Sequence, residues 1–313
     1  VVVEKIGKMA DGVYMLGHRV APIYLVDGPH PALFDGGMTF LASHYDRQIR
    51  KILGDRQPAH CFLTHSHWDH CGAVAYLKQQ FPKMQVVCSQ KAADVLTRPN
   101  AVALIAELNR SSAVLAADWG IDASATSFEP FDVDIVAREG DRFDIAPDLI
   151  VHTMETPGHT WDFLSYYIPG CKLLMASEAL GTRDDTGGII VDCLVDYDAC
   201  LHSIDRLSAL DVQILLLGHV CSFIGPDARQ HIQASKRQLK GFKTLVERLM
   251  DQVDGNLVEV KKKVKAVEWD HTPGLRQPEP AYLLNLDARI NAVLRKKRQH
   301  ATTAKIGTTH DNA

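Results

Sequence analysis

The stretch Thr64-His65-Ser66-His67-Trp68-Asp69-His70-Cys71-Gly72 decides how this chain is read. Four side chains able to ligate a metal fall within six positions, and three of the chain's 15 histidines are among them. The run before it, residues 61–64, is apolar and strand-sized. His65 and His67 therefore leave a strand end with alternating geometry and can reach the same side. Asp69 and His70 follow where the chain turns into the next helix, and can aim at a neighbouring point. Neutral imidazoles and a carboxylate suit zinc first, with iron and manganese also compatible. Four such groups in so short a loop rarely converge on one ion, so two adjacent ion positions are expected. A histidine-rich surface turn is the bland alternative. The apolar run before the cluster and the glycine after it favour a built site.

Short apolar or alternating runs at 12–16, 23–26 and 32–34 precede the cluster, bounded by Gly, Pro and Asp, and read as strands. Leu41, Tyr45, Ile49 and Ile52 share one helical face over 41–53. Beyond the cluster the pattern predicts a helix at 72–80, a strand at 85–88 and one or two helices within 92–117. Strands follow at 132–137, 142–145, 149–154, 163–168 and 172–176. A turn-rich acidic segment at 181–198 leads to a helix at 197–210 and a last strand at 214–217. Alternation of β and α elements indicates a layered α/β protein. After Gly225-Pro226 only helical patterns remain, at 227–250, 257–269 and 281–298. The expected organisation is one domain over 1–225, a helical C-terminal appendage over 226–299 and a disordered tail over 300–313.

Three later features can complete the cluster. Thr156-Pro157-Gly158-His159-Thr160 follows the strand at 149–154, and Leu217-Gly218-His219 ends the strand at 214–217. Between them, Ala176-Ser177-Glu178 closes the strand at 172–176 with a carboxylate. Each alone is ordinary loop chemistry, but all follow strands and can gather at one sheet edge. Asp35, in Phe34-Asp35-Gly36-Gly37, is either a partner for a ligand imidazole or a plain turn residue. Cys71 and Cys221 lie beside the histidines and could approach a metal; free buried thiols are the simpler reading. Trp68, Trp161, Asn109 and Arg110 are candidate pocket walls, with apolar packing the competing role for the two tryptophans.

On these motifs the chain resembles the metallo-β-lactamase fold superfamily over roughly residues 10 to 225. The resemblance rests on H-x-H-x-D-H at 65–70, then the ordered series Gly158-His159, Glu178 and Gly218-His219. It implies a four-layer αβ/βα sandwich with a dinuclear metal site at one sheet edge. Carried over residue by residue, it gives His65, His67 and His159 to a first metal and Asp69, His70 and His219 to a second. Glu178 stands where the family usually has a bridging aspartate, with one extra methylene in the side chain. A more distant likeness runs to the thioesterase of the Pseudomonas quinolone-signal response. It is carried by the H-x-H-x-D-H-C-G block, Leu108-Asn109-Arg110, Ala179-Leu180-Gly181 and a helical C-terminal part. That likeness implies that residues 227–298 form a lid over the site.

Composition bounds the remaining possibilities. A 46% hydrophobic, 23% charged chain of 313 residues can bury a sizeable core. No run of about 18 apolar residues occurs, so no membrane span is expected. The opening Val1-Val2-Val3-Glu4-Lys5 is too soon charged for a signal peptide. Seven cysteines without a framework spacing fit reduced thiols and a cytoplasmic setting. The net charge of −4 divides unevenly. From Gly225 onward 17 Lys and Arg face 10 Asp and Glu, or +7, leaving −11 before it. An acidic body suits cation binding, while Lys261-Lys262-Lys263 and Arg295-Lys296-Lys297-Arg298 read as solvated helix faces. An acidic site region disfavours nucleic acid.

The expected activity is hydrolysis of an ester, thioester or lactone carbonyl in a small-molecule substrate. Two divalent cations would lower the pKa of a water and hold the oxyanion. Asp69 is expected to act both as ligand and as the catalytic group that orients the nucleophile or carries its proton. Two other readings are a non-catalytic regulatory module that keeps the metal scaffold, and a redox di-iron protein related to the flavodiiron branch. That branch has a glutamate where His67 stands. A homodimer is compatible with the sequence.

Overall fold

The structure, a computed structural model, describes residues 1–123, 127–274 and 277–307. In chain order the strands of the first half are β1 (Val2–Val3), β2 (Gly7–Ala10), β3 (Val13–His18), β4 (Ala21–Val26), β5 (Ala32–Phe34), β6 (His60–Phe62), β7 (Gln85–Ser89) and β8 (Ile135–Ala137). The second half supplies β9 (Arg142–Ala146), β10 (Leu149–Glu155), β11 (Leu164–Ile168), β12 (Leu173–Met175), β13 (Thr182–Arg183), β14 (Ile189–Ile190), β15 (Ile214–Leu216) and β16 (Ser222–Ile224). The helices are α1 (Ala42–Leu53), α2 (Trp68–Cys71), α3 (Val74–Gln80), α4 (Gln90–Leu96), α5 (Pro99–Ser112), α6 (Leu115–Asp118), α7 (Tyr197–Ser208), α8 (Pro226–Gln252), α9 (Leu257–Glu268) and α10 (Glu279–Gly307).

Two sheets form, ordered β2-β3-β4-β5-β6-β7-β8 and β1-β16-β15-β12-β11-β10-β9 among the described residues. β13 and β14 make a separate hairpin within the expected turn-rich segment. Strands β5 to β8 run parallel, with Leu33 beside Cys61 and Cys61 beside Val86. β12 and β15 are the parallel pair of the second sheet, joined through α7.

The strands bury both faces, and their side chains sort by period two. On β4, Tyr24 and Val26 enter the core between the sheets, whereas Ile23 and Leu25 face α1 and α3. On β15, Ile214 and Leu216 face the first sheet, whereas Leu215 packs under α7 and α8. Three hydrophobic layers therefore separate four structural layers: helices, sheet, sheet, helices. This is the αβ/βα sandwich that the sequence implied.

Each helix contributes one stripe. Ala42, Tyr45, Ile49 and Leu53 of α1 are buried at helical spacing, and Ala228, Ile232, Leu239, Phe242 and Val246 do the same on α8. Full burial of such a side chain contributes about 1.5–3 kcal/mol. Tyr282, Leu286, Ile290 and Val293 of α10 join the same core as α7 and α8, so the helices after Gly225 continue the outer layer.

Several elements depart from the sequence reading. Residues 92–117 hold parts of three helices, because Pro99 starts a new one at its first turn and Ala113-Val114 ends it. β1, β2 and β16 are two to four residues long, too short to show a period. Asp69 and His70, expected where the chain turns into the next helix, sit on a separate short helix, α2, ahead of α3. The backbone of α10 stays helical through Gly307, across residues 300–307 of the expected tail, where no Pro or Gly precedes Gly307 to break the helix. Residues 308–313 of that expectation lie outside the described residues. No described helix is long and apolar enough to cross a membrane.

Candidate metal centre

The sequence places six imidazole or carboxylate side chains and Glu178 after strand ends, and the fold brings all seven to one edge of the sandwich. Donor atoms of His65, His67 and His159 lie within 4.8 Å of one another. The same holds for Asp69, His70 and His219, and for His65, His70 and Glu178. The third group links the first two, because it shares His65 with one and His70 with the other.

Four of the five histidines have one ring nitrogen tied to a fixed partner, which orients the other. His70 Nδ1 lies 2.8 Å from Asp35 Oδ2. His159 Nδ1 lies 2.7 Å from the Asp192 carbonyl, and His219 Nδ1 2.6 Å from the Val20 carbonyl. His65 Nδ1 is 3.0 Å from Thr64 Oγ1, whose hydroxyl donates to Asp35 Oδ1 at 2.9 Å. The free nitrogens then face inward. His159 Nε2 and His67 Nδ1 are 3.2 Å apart, and Glu178 Oε1 is 2.8 Å from His70 Nε2 and 2.6 Å from His219 Nε2. Asp69 Oδ2 lies 3.5 Å from His219 Nε2 and 3.8 Å from His70 Nε2.

His65 Nε2 is fully buried and has no hydrogen-bond partner. A buried polar nitrogen without a partner costs roughly 1–3 kcal/mol unless something occupies the space it faces. A divalent cation satisfies it, and the donor set of imidazoles and carboxylates fits such an ion.

Electrostatics divide the centre into two halves. Burial holds His65, His67 and His159 below the usual histidine range, with His67 down to about 4 and its neighbour His159 adding to the effect. They are neutral, the form that ligates. Burial also disfavours charge on His70 and His219, but Glu178, Asp35 and Asp69 outweigh it for His70, and Glu178 and Asp69 for His219. His70 is raised well above the usual value and His219 to about 9. Burial would raise Glu178, yet His70 and His219 pull its carboxyl well below the carboxylate range. A cation competing for these nitrogens displaces protons, so its affinity rises with pH.

The backbone is shaped for this crowding. Asp35, Ser177 and Val220, each beside the centre, have φ of 62°, 43° and 67°. Left-handed backbone in a β-branched residue such as Val220 is held only by its surroundings. Gly218 is needed by contact: a Cβ there would stand 2.4 Å from Ser177 Oγ and 2.9 Å from Glu178 Oε1.

Residues that sequence reasoning did not reach support the loop. Asp162 Oδ2 accepts from Ser66 N at 2.9 Å, and Ser177 Oγ donates to Glu178 Oε2 at 2.5 Å. Asn109, expected as a pocket wall, is instead a buried clamp behind the loop. Its Oδ1 accepts from Thr39 N and its Nδ2 donates to the Trp68 carbonyl. Arg110 is exposed and paired with Glu107. Trp68 packs into the core under α5, while Trp161 is 46% exposed with Lys91 over its ring. Cys71 and Cys221 are buried free thiols and belong to none of the donor groups among the described residues.

The model of the metallo-beta-lactamase superfamily matches residues 17–219, more than half of the chain and the span that contains all seven donors. The chain belongs to the metallo-beta-lactamase superfamily. That family implies divalent metal ions. Among curated proteins, the hydroxyacylglutathione hydrolase of Rhizobium johnstonii is 25% identical over 248 residues, 77% of this chain and 80% of its own. The enzyme of that name from Rhizobium meliloti is 31% identical over 124 residues, 40% of this chain and 34% of its own. Among solved structures, a metallo-beta-lactamase family protein from Thermus thermophilus aligns with a TM-score of 0.63 at 18% identity, over 94% of this chain and 95% of that one. An archaeal superfamily protein from Sulfolobus tokodaii aligns at 0.58 and 16% identity, over 91% and 98%. At these identities the structural likeness speaks for the fold alone.

Proposed function

We propose that this superfamily member is a metal-dependent hydrolase of acyl substrates, with a thioester ahead of an ester or a lactone. The observation that carries the reading is the pair of adjacent donor sets in which the outer nitrogens of His65, His70, His159 and His219 are pinned and the inner donors converge, with His65 Nε2 unpartnered. In this reading His65, His67 and His159 would hold one divalent cation, Asp69, His70 and His219 would hold another, and Glu178 would offer its carboxylate to the same centre. Zinc is the first candidate, with iron and manganese compatible with the same donors. The preference for a thioester rests on the curated relatives, which are named as hydrolases of hydroxyacylglutathione.

Bound cations supply water activation near neutral pH and stabilisation of an oxyanion. The chain's own residues do the rest. Asp69, whose carboxylate is only partly buried, orients the attacking water and accepts its proton at a carboxylate oxygen. Asp35, the Asp192 carbonyl and the Val20 carbonyl hold His70, His159 and His219 in their tautomers, so the centre needs little reorganisation. The glutamate at position 178 reaches His70 and His219 from a tight turn.

The test measures metal content and turnover on the same preparation. Protein purified without added metal is analysed for bound metals, then assayed on panels of acyl thioesters, esters and lactones with and without a chelator. The expected result is close to two divalent ions per chain and thioester hydrolysis abolished by chelation. No chelator-sensitive turnover on any panel overturns the reading, and iron with redox activity in place of hydrolysis replaces it with the di-iron alternative.

A further inference from the structure

One histidine of the first donor set, His159, hangs on a segment that the C-terminal helices hold. His159 Nδ1 lies 2.7 Å from the Asp192 carbonyl, and Val195 N donates to the Gly158 carbonyl at 3.1 Å. Residues 192–195 therefore grip both the ligand and the residue before it. This segment follows β14 and precedes α7, and it has no strand pairing of its own. Three side chains of α10 reach it. Asn285 Nδ2 donates to Asp192 Oδ2 at 3.0 Å, Arg295 Nη1 donates to the Val195 carbonyl at 2.9 Å, and Arg289 Nε lies 3.7 Å from Asp192 Oδ1.

Arg289 is itself fixed. It is 1% exposed, makes two hydrogen bonds to Glu268 of α9 at 2.9 and 3.0 Å, and stacks over the Phe242 ring of α8 at 3.9 Å. All three C-terminal helices thus converge on one guanidinium beside Asp192. A buried ion of this kind needs a reason, since apolar side chains of similar size pack as stably. The link from Arg289 to the loop that orients His159 supplies one.

We propose that α10 positions the first metal-binding set: Asn285 and Arg295, with Arg289 behind them, are positioning residues that act on His159 through residues 192–195. This rests on the reading of the centre as a metal site. It assigns the helices after Gly225 a part in metal binding that lies outside the family match at 17–219. None of the three side chains touches the donor atoms; each acts through backbone that does.

The test is a zinc titration of the full chain against a competing chromophoric chelator. It compares the parent, Asn285→Ala, Arg295→Ala and the double variant, each also in a His159→Ala background. Arg295 is exposed and Asn285 half-buried, so neither substitution removes core packing. The double variant is expected to weaken one of two zinc equivalents about 10-fold, the low end for residues that orient a ligand. In the His159→Ala background the same pair is expected to change zinc affinity by less than about 2-fold, because the route ends at the missing ring. Equal weakening with and without His159, or no weakening, overturns the positioning role while leaving the metal centre standing. A parent chain that binds no zinc, iron or manganese overturns the metal reading and this proposal with it.

Discussion

Asn109 offers the sharpest check on how the metal loop is held. It is 2% exposed on the inner face of α5, accepts from Thr39 N at 2.9 Å and donates to the Trp68 carbonyl at 3.0 Å. Replacing it by leucine keeps the heavy-atom count and branching of the side chain and removes both bonds, together with the one from Nδ2 to the Ile105 carbonyl at 3.1 Å. Thr39 is 3% exposed, so its amide stays buried without an acceptor, which costs about 1–3 kcal/mol. The Trp68 carbonyl begins the short helix that carries Asp69 and His70, is only half-buried and costs less when water reaches it. The sum is roughly 2–4 kcal/mol, which for a chain of this size lowers the melting temperature by about 5 °C. Asn109→Ala adds a cavity and is expected to lose somewhat more. Urea unfolding followed by circular dichroism gives the free energies, and metal analysis of the same samples reports whether the loop still binds. A leucine variant as stable as the parent, with alanine alone destabilised, would refute the argument, because packing and not hydrogen bonding would then hold the loop.

Two further outcomes follow from other parts of the fold. Gly158 has φ of 145°, and a Cβ there would stand 2.4 Å from Cys200 Cα; Gly158→Ala is expected to cost more than about 3 kcal/mol and to release metal, whereas Gly241→Ala, on the open face of α8, is expected to gain about 0.5–1 kcal/mol in the same denaturation assay. His231, buried against Phe223 and 3.0 Å from the Leu180 carbonyl, is held down to about 4 by burial. Protonation therefore favours the unfolded chain. Its contribution is complete above the unfolded value of 6.5 and erodes by up to roughly 3 kcal/mol as pH falls through 4. Replacing His231 with Gln, which can still donate to that carbonyl, is expected to flatten the acid limb of a stability–pH profile; an unchanged limb refutes the assignment.

The local chemistry was legible in the sequence wherever it was local. Three histidines and an aspartate within six residues announce a metal loop because donor type and spacing are properties of the chain itself. The apolar runs of β4 and β15 and the helical stripe of α1 announced buried layers for the same reason, since a run of apolar side chains is a property of its own element. Glu178 and the distant His159 and His219 were legible as strand-end residues, yet only as candidates.

Tertiary structure decided what depends on residues far apart meeting. Asn109 stood out in the sequence only as a candidate pocket wall, and only the approach of Thr39 and Trp68 makes it a clamp. The Asp192 and Val20 carbonyls that pin His159 and His219 leave no trace in composition, because every residue has a carbonyl and only folding aims it. Arg289 carries no signal of its own in the sequence, being one charge within the helical pattern at 281–298. Its burial between Glu268, Phe242 and Asp192 follows from three helices packing on one layer, and no pattern within a single helix encodes that meeting. The sequence by itself determined which groups could bind metal; the packing of the two sheets and the outer helices determined which nitrogen each of them presents.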